Sequence, residues 1–355
     1  MPHDQETVLL QGHIIDSLIL AKVLDTIQMM GGTFDLQDVQ IGKTREEPSR
    51  ARIIVQASSA KLLSEILHAI QPHGASVESE RDCRLAAAPA DGILPEEFYA
   101  TTHLPTQVRV SDQWVEVEGI EMDLGILVDP VRLTARTVPM GDVKQGDQVV
   151  IGREGVRVIP LQRPRDRDVF SFMESQVSSE RPHGRVIGDI AKRLMQLRIG
   201  FWEGKADSKV LLAGGPAIVH AGGREALAWL IDEEFIHVLF CGNALPAHDM
   251  EVDLYGTSLG YGHAAGRVVP HGHEHHLRTI NRIRAIGSIE AAVRSGVIKT
   301  GIMAACVRRG VHVVMAGTIR DDGPLPGVIT DSLEAQAAMR MAIPGIGLAL
   351  LVAST

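Results

Sequence analysis

Four runs decide how the second half of this chain folds: Lys209–Ala213 (KVLLA), His237–Cys241 (HVLFC), Val311–Ala316 (VHVVMA) and Gly347–Ala353 (GLALLVA). Each is apolar almost throughout and does not alternate, and helical patterns such as Ile187–Leu197 accompany them. Strands that read this way are covered on both faces, which places them in a parallel sheet between helices. Small or polar residues follow every run: Gly214-Gly215-Pro216, then Gly242-Asn243-Ala244, then Gly317-Thr318 with Arg320-Asp321-Asp322-Gly323, and finally Ser354-Thr355. Ligands of open α/β sheets bind at the carboxyl edge of the strands. Small residues there let backbone N–H groups approach an anion, and a helix N-terminus adds a favourable dipole. Neither G-x-G-x-x-G nor G-x-x-x-x-G-K-[ST] occurs, so the pattern predicts a ligand at the sheet edge without naming it.

Working outward, residues 1–85 read as strand, helix, strand, strand, helix, strand. Thr7–Ile15 is β-like. Ser17–Met30 carries apolar residues at helical spacing and stops at Gly31-Gly32. Thr33–Ile41 alternates, Ala51–Gln56 is a second strand, Ala60–Ile70 a second helix, and a last strand lies near Ala75–Glu80. That order is the split βαβ of ferredoxin-like folds. Residues 86–168 hold short alternating runs at Gln107–Val110, Trp114–Val117, Gly125–Val128, Val149–Ile151 and Val156–Ile159 between turn signals, predicting a small antiparallel barrel or sandwich. Arg163–Asp168 (RPRDRD) reads as a linker into a third domain, 169–355. The predicted class is α/β: a Rossmann-like parallel-sheet domain preceded by a ferredoxin-like α+β module and a small β-rich domain.

The net charge of −9 argues against a nucleic-acid or anionic-membrane partner. Cys83, Cys241 and Cys306 are scattered, with no CxxC, which fits a reducing cytoplasm and gives no zinc knuckle or redox dithiol. MPHDQETVLL lacks the features of a signal peptide, and the longest apolar stretch, Ile343–Ala353, is interrupted by Pro344, Gly345 and Gly347 and is too short to span a bilayer.

Several residues are open to two readings. Asp321 and Asp322, just past a strand end, either accept hydrogen bonds from ribose hydroxyls or shape a turn. Asn243 either caps a helix or holds a ligand amide. HGHEHH (His271, His273, His275, His276) invites a metal, but its spacing does not converge three ligands on a helix and H-E-x-x-H is absent, so a substrate-facing or interface role for His275 or His276 is preferred and no metal is expected. Arg181 and Arg320 are either carboxylate clamps or surface residues. Cys241 reads as core. G-x-S-x-G is absent and no Ser/His/Asp set is evident.

Longer motifs run through the chain: VLLQGHIIDSLILAKVLDTI (8–27), GGTF (31–34), PADGILPEEFYATT (89–102), VSSERP (177–182), CGNALPAHDMEVDLYGTSLG (241–260), GHEHHLRTIN (272–281) and AGTIRDDGPLPGVITDSLEAQAAMR (316–340). Together they resemble the family whose domain is named after lysine-oxoglutarate reductase/saccharopine dehydrogenase. That family includes archaeal-type ornithine cyclodeaminase and the C-terminal part of cyanobacterial arginine dihydrolase/ornithine cyclodeaminase fusions. The resemblance implies a C-terminal domain like the NAD-binding fold of deoxyhypusine synthase, with catalytic NAD converting L-ornithine to L-proline and ammonia. It implies no arginine hydrolysis, because the dihydrolase module has no counterpart here.

Carried over residue by residue, the resemblance places NAD contacts at Asn243 and Ala244, at Asp322 with Asp321 beside it, and at Ser354 and Thr355. Gly214 and Gly215 complete the expected cofactor edge. Arg320 is the expected carboxylate clamp, and Asp331 or His276 the expected proton-transfer group. A homo-oligomer that binds a small amino acid is expected, with no nucleic-acid or membrane partner. Two departures stand out. Relatives run on past the position of Thr355 with further cofactor-contacting segments, and a wall missing there would weaken NAD binding. His103-Leu104 stand where relatives carry Asn-His, which alters specificity if that segment meets substrate. The rival readings are an amino-acid or opine-type dehydrogenase, and a non-catalytic NAD or amino-acid sensor using the N-terminal module.

Overall fold

The computed structural model describes residues 4–15, 17–42, 47–77, 81–159, 183–262, 267–269, 272–319, 321 and 323–353. The first strand, β1 (Asp4–Gly12), is followed by α1 (Ile19–Met29), β2 (Thr33–Gln40), β3 (Ser49–Ala57), α2 (Ala60–Ile70) and β4 (Ala75–Val77). The sheet order is β2-β3-β1-β4, the ferredoxin-like arrangement that the sequence predicts. Alternation produces it: Ala51, Ile53 and Val55 of β3 turn inward with Val8 and Leu10 of β1, and meet Val23, Ile27, Leu63, Ile66 and Ile70 of the helices. Each buried valine, leucine or isoleucine here stabilises by ~1.5–3 kcal/mol. The turn out of α1 needs glycine twice. Gly31 has φ 83°, and a Cβ on Gly32 would come within 2.6 Å of Ile66 Cδ1.

Seven further strands follow: β5 (Arg84–Ala87), β6 (Thr106–Val110), β7 (Gln113–Glu118), β8 (Gly125–Asp129), β9 (Thr134–Val138), β10 (Gln148–Ile151) and β11 (Val156–Val158). They form one sheet in the order β11-β6-β7-β9-β8-β10-β5. The expectation of an antiparallel barrel or sandwich is corrected in two respects. β5 and β9 were not anticipated, and β7 pairs with β9 in parallel through Val117↔Ala135. In β9 (TARTV) alternation puts Ala135 and Thr137 inside, residues too small or polar to register as a strand core. Parallel pairing has no local sequence signature. Tyr99, Val108, Val110, Val117, Ile126, Val128 and Val150 fill the core.

These two sheets belong to one compact unit, residues 1–170; residues 171–355 form the other. The second begins with α3 (His183–Trp202), β12 (Lys209–Gly214), α4 (Ala217–His220), α5 (Arg224–Asp232), β13 (Val238–Gly242) and α6 (Ala244–Tyr255). A small three-stranded sheet follows, β14 (Thr257–Ser258), β15 (Tyr261–Gly262) and β16 (Arg267–Val268). Then come α7 (His275–Ile286), α8 (Ile289–Arg294), α9 (Ile302–Arg309), β17 (His312–Ala316), β18 (Val328–Ile329), α10 (Ser332–Ala342) and β19 (Ile346–Val352). The main sheet runs β18-β17-β13-β12-β19, every pair parallel. The four predicted strands are present within a residue or two of their predicted bounds; two-residue β18 is the addition.

The topology locates a crevice. From β12 the chain steps outward through β13, β17 and β18, then crosses back to lay β19 on the other side of β12. The order therefore reverses between β12 and β19, and ligands of such sheets bind outside the carboxyl ends at that reversal. Gly214 and Gly215 sit there, and the Gly215 N–H donates to Val352 O at 3.1 Å across the switch point. Among the described residues no helix is long and apolar enough to cross a membrane.

Candidate active site at the carboxyl edge of the parallel sheet

Adjacent parallel strands deliver Gly214-Gly215, Asn243-Ala244 and the 317–325 loop to one edge. Asn243 precedes α6 but does not cap it with its side chain. Its Nδ2 donates to Gly323 O at 3.1 Å, and its Oδ1 accepts from Leu325 N–H at 2.9 Å. Arg284 of α7 donates to Pro324 O at 2.7 Å. The side chain therefore does not cap α6; it fastens the loop after β17 onto the start of that helix. The first turn of α6 is left with no side-chain cap and no acidic residue, so its N–H groups and positive dipole end suit a phosphate. The Asp321 carboxylate orders its own turn, accepting from Thr318 N–H and Thr318 Oγ1, each at 2.8 Å, and each oxygen keeps a further lone pair.

Asp331, expected to accept protons, is the N-cap of α10; one carboxylate oxygen accepts from Leu333 N–H at 2.8 Å and Glu334 N–H at 2.9 Å. Cys241 is buried, and burial pushes its thiol up to about 12. Arg181, His271, Arg320, Asp322, Ser354 and Thr355 lie outside the described residues, as does the Arg163–Asp168 linker. Among the described residues no group of three His, Cys, Asp or Glu side chains is arranged to hold a metal ion.

His276 leads to a cluster that sequence reasoning missed. Its ring centroid lies 6.2 Å from that of His248 on α6, which lies 4.9 Å from that of His220 at the end of α4. The centre of the cluster is Glu251, fully buried one turn beyond His248. Glu251 Oε2 pairs with His248 Nδ1 at 3.0 Å and accepts from Leu259 N–H at 3.2 Å. Its Oε1 accepts from Thr257 Oγ1 at 2.8 Å and from Gly260 N–H at 3.3 Å. Thr257 Oγ1 also meets His275 Nδ1 at 2.7 Å, and Ser258 Oγ meets His220 Nδ1 at 2.6 Å. Burial acts to raise the Glu251 carboxyl. The hydrogen bonds from His248 and Thr257, the His248 charge and the Gly260 N–H outweigh it and hold the group below the ordinary glutamate value.

A signal for this cluster exists in the sequence. Ala244, His248, Glu251 and Tyr255 recur at helical spacing and share one face of α6, directly after a glycine-terminated strand. The residue after His248 starts a different motif. Asp249, also fully buried, is gripped by Arg224 Nε at 2.8 Å and by the N–H groups of Ile302 and Met303, each at 2.8 Å. Gly301, with φ 97°, permits this, since a Cβ there would collide with Arg224 and Asp249.

A parallel sheet with a switch-point crevice, an uncapped helix N-terminus and a histidine–carboxylate cluster beside it defines a Rossmann-type nucleotide-binding enzyme fold. Comparison with known proteins narrows this. The LOR/SDH bifunctional enzyme conserved region matches residues 5–104, the first region of the arginine dihydrolase ArgZ-like C-terminal part matches 105–187, and the Rossmann fold of that part matches 188–355. Ornithine cyclodeaminase of Methanothermobacter thermautotrophicus is 47% identical over 97% of this chain and 83% of its own length. That of Methanopyrus kandleri is 46% identical over 100% and 84%. The chain belongs to the family of these archaeal ornithine cyclodeaminases. The solved ternary complex of AgrE with ornithine and NAD+ superposes with a TM-score of 0.83 at 36% identity, covering 99% of this chain. AgrE of a Nostoc species is a bifunctional arginine dihydrolase/ornithine cyclodeaminase, and this chain spans about half its length.

Proposed function

We propose that this protein is an NAD-dependent ornithine cyclodeaminase that converts L-ornithine to L-proline and ammonia. The observation that carries the reading is near-full-length identity of 47% to an ornithine cyclodeaminase, joined to a fold shared with the AgrE complex that holds ornithine and NAD+. The carboxyl edge suits the cofactor: its glycines lie at the topological switch point and the first turn of α6 carries no competing carboxylate. When bound there, NAD supplies a reversible hydride acceptor. Gly214, Gly215, Asn243, Ala244 and Asp321 are proposed to hold it. The further assignments of Asp322, Ser354 and Thr355 to the cofactor and of Arg320 to the substrate carboxylate rest on the resemblance alone. The enzyme's own task is then to orient the amino acid, exclude water from the hydride path and move protons.

The test is to incubate the protein with NAD and L-ornithine and follow three products. Proline and ammonia formed in equal amounts, without net NADH, are expected. Accumulating NADH would make it a dehydrogenase, and binding without turnover a sensor. We propose in addition a cytoplasmic homo-oligomer. Three free, buried cysteines are in keeping with a reducing compartment, and light scattering on the purified chain measures the oligomer.

A further inference from the structure

The reaction read above needs a group that accepts a proton when the amino acid is oxidised and gives it back when the ring is reduced. We propose that His248 is that catalytic group, and that Glu251 positions it. The inference rests on the cyclodeaminase reading for its substrate, but the dyad itself follows from the hydrogen bonds. Glu251 accepts from two backbone N–H groups and from a threonine hydroxyl, and is held in its charged form. A carboxylate has no proton to donate, so His248 Nδ1 must be the donor in their 3.0 Å contact. The neutral ring then carries its lone pair on Nε2. Glu251 is the one hydrogen-bond partner of His248 among the described residues, although the side chain is only 8% exposed. A nine-tenths buried base with its second nitrogen uncommitted is oriented for a ligand.

The placement agrees. His248 lies one turn from Ala244 on the same face of α6, beside the phosphate-suited N-terminus. Its ring is flanked by His220, at the end of the segment that follows Gly214-Gly215, and by His276 of α7. His220 is itself exposed, which links the buried ring to solvent. The titratable groups facing His248 are therefore His220 from α4, Glu251 from α6 and His276 from α7, with His275 one hydroxyl away through Thr257. The other imidazoles differ from it: His220 and His275 meet hydroxyls at Nδ1, and His248 alone of the three meets a carboxylate there.

The steps balance. Oxidation moves a hydride from the ornithine α-carbon to NAD, and an N–H proton of the neutral α-amine to His248 Nε2, leaving a carbon–nitrogen double bond. The δ-amine then forms a bond to that carbon as the π bond opens, and one of its two protons passes to the former α-amino nitrogen. The imidazolium protonates the former α-amino nitrogen, the bond to it breaks, and ammonia departs as the ring nitrogen returns a proton to His248. Hydride and that proton finally add across the cyclic imine, giving proline with NAD and neutral His248 restored.

The experiment combines three measurements on the full chain. In ¹⁵N spectra of the NAD-free wild type, the neutral His248 ring should carry its proton on Nδ1. A ring protonated on Nε2 would overturn the proposal without any variant. His248→Gln should bind NAD as the wild type does while kcat falls by roughly 10²–10⁴-fold, the usual contribution of a proton-transfer group. Wild-type kcat in this variant would also overturn it. Glu251→Gln removes the carboxylate that holds the Nδ1 proton, so the ¹⁵N spectrum of His248 should lose its dominant Nδ1-protonated form and kcat should fall while KM for ornithine stays near the wild-type value. A fall in rate with the tautomer unchanged would make Glu251 merely structural. Absence of proline formation by the wild type would sink the cyclodeaminase reading instead, and the tautomer measurements on wild type and Glu251→Gln would still decide the dyad.

Discussion

Two buried carboxylates sit two residues apart on α6 and are used in opposite ways. Asp249 belongs to a closed knot: the Arg224 guanidinium and the first N–H groups of α9 occupy it, and Gly301 leaves just enough room. Glu251 belongs to an open chain that runs through His248 to a nitrogen with no hydrogen-bond partner among the described residues, and through Thr257 to His275. Helical geometry sends residues i and i+2 to different sides, so one helix serves the α5–α9 core with one and the crevice with the other. A carboxylate whose donors all belong to backbone and arginine can only fix structure. One whose donors include titratable rings also sets where protons reside.

The largest effect that separates the two should come from opening the knot. Arg224→Ala leaves Asp249 buried without its cation, and removal of one partner of such a pair destabilises by about 3–5 kcal/mol. Chemical denaturation should register that loss. His248→Gln, by contrast, should leave the denaturation midpoint close to wild type while activity collapses. If the two variants lose stability equally, the distinction between knot and chain fails.

Asn243→Ala should have a smaller effect. It strands Gly323 O and Leu325 N–H, both bonded to a side chain that is only 3% exposed, at about 1–3 kcal/mol for buried groups left unsatisfied. The loss falls on the loop that borders the proposed cofactor site, so NAD affinity measured by calorimetry should weaken more than kcat at saturating NAD. Equal affinity in variant and wild type would detach that loop from the cofactor. Asp331 comes next. Asp331→Ala removes the α10 cap at a cost of about 0.5–2 kcal/mol, whereas Asp331→Asn keeps a capping oxygen and should change stability little. The asparagine variant discriminates: unchanged kcat leaves Asp331 a cap, and a large fall returns its carboxylate to the chemistry.

Apolar runs such as HVLFC and VHVVMA were legible as parallel strands because burial on both faces leaves a one-dimensional trace. The alternation in β3 likewise traced the ferredoxin-like module. The seven-stranded sheet was only half legible, since TARTV buries alanine and threonine and the β7–β9 pairing is a fact of topology. In the site, the glycine-terminated strand ends were readable and the wiring was not. Asn243 was seen as a cap or a ligand group, yet it ties down residues eighty positions away. Asp331 was seen as a base, yet its geometry makes it a cap. His248 and Glu251 were passed over because each looks ordinary in sequence, and their pairing becomes visible only when Thr257, Leu259 and Gly260 fold back to define the carboxylate as an acceptor.

The smallest effect at neutral pH is the one that measures how Glu251 is charged. Its carboxyl titrates below the ordinary 4.5 in the folded protein. A depressed folded value means the unfolded chain binds the proton more readily, so the carboxylate contributes stability that is fully present above the ordinary value and is lost as pH falls through the folded one. Glu251→Gln cannot titrate. The difference in unfolding free energy between wild type and this variant should therefore stay constant from neutral pH down to the ordinary glutamate value and narrow as pH falls below it. A difference that stays flat across the acid range would mean that no proton-linked stability resides at Glu251. The acceptor role that fixes the His248 tautomer would then need another source of its order. Narrowing that begins well above pH 5 would mean that burial has won over the hydrogen bonds and raised the group, which would leave Glu251 able to donate, and would reverse the direction of the proton in its contact with His248.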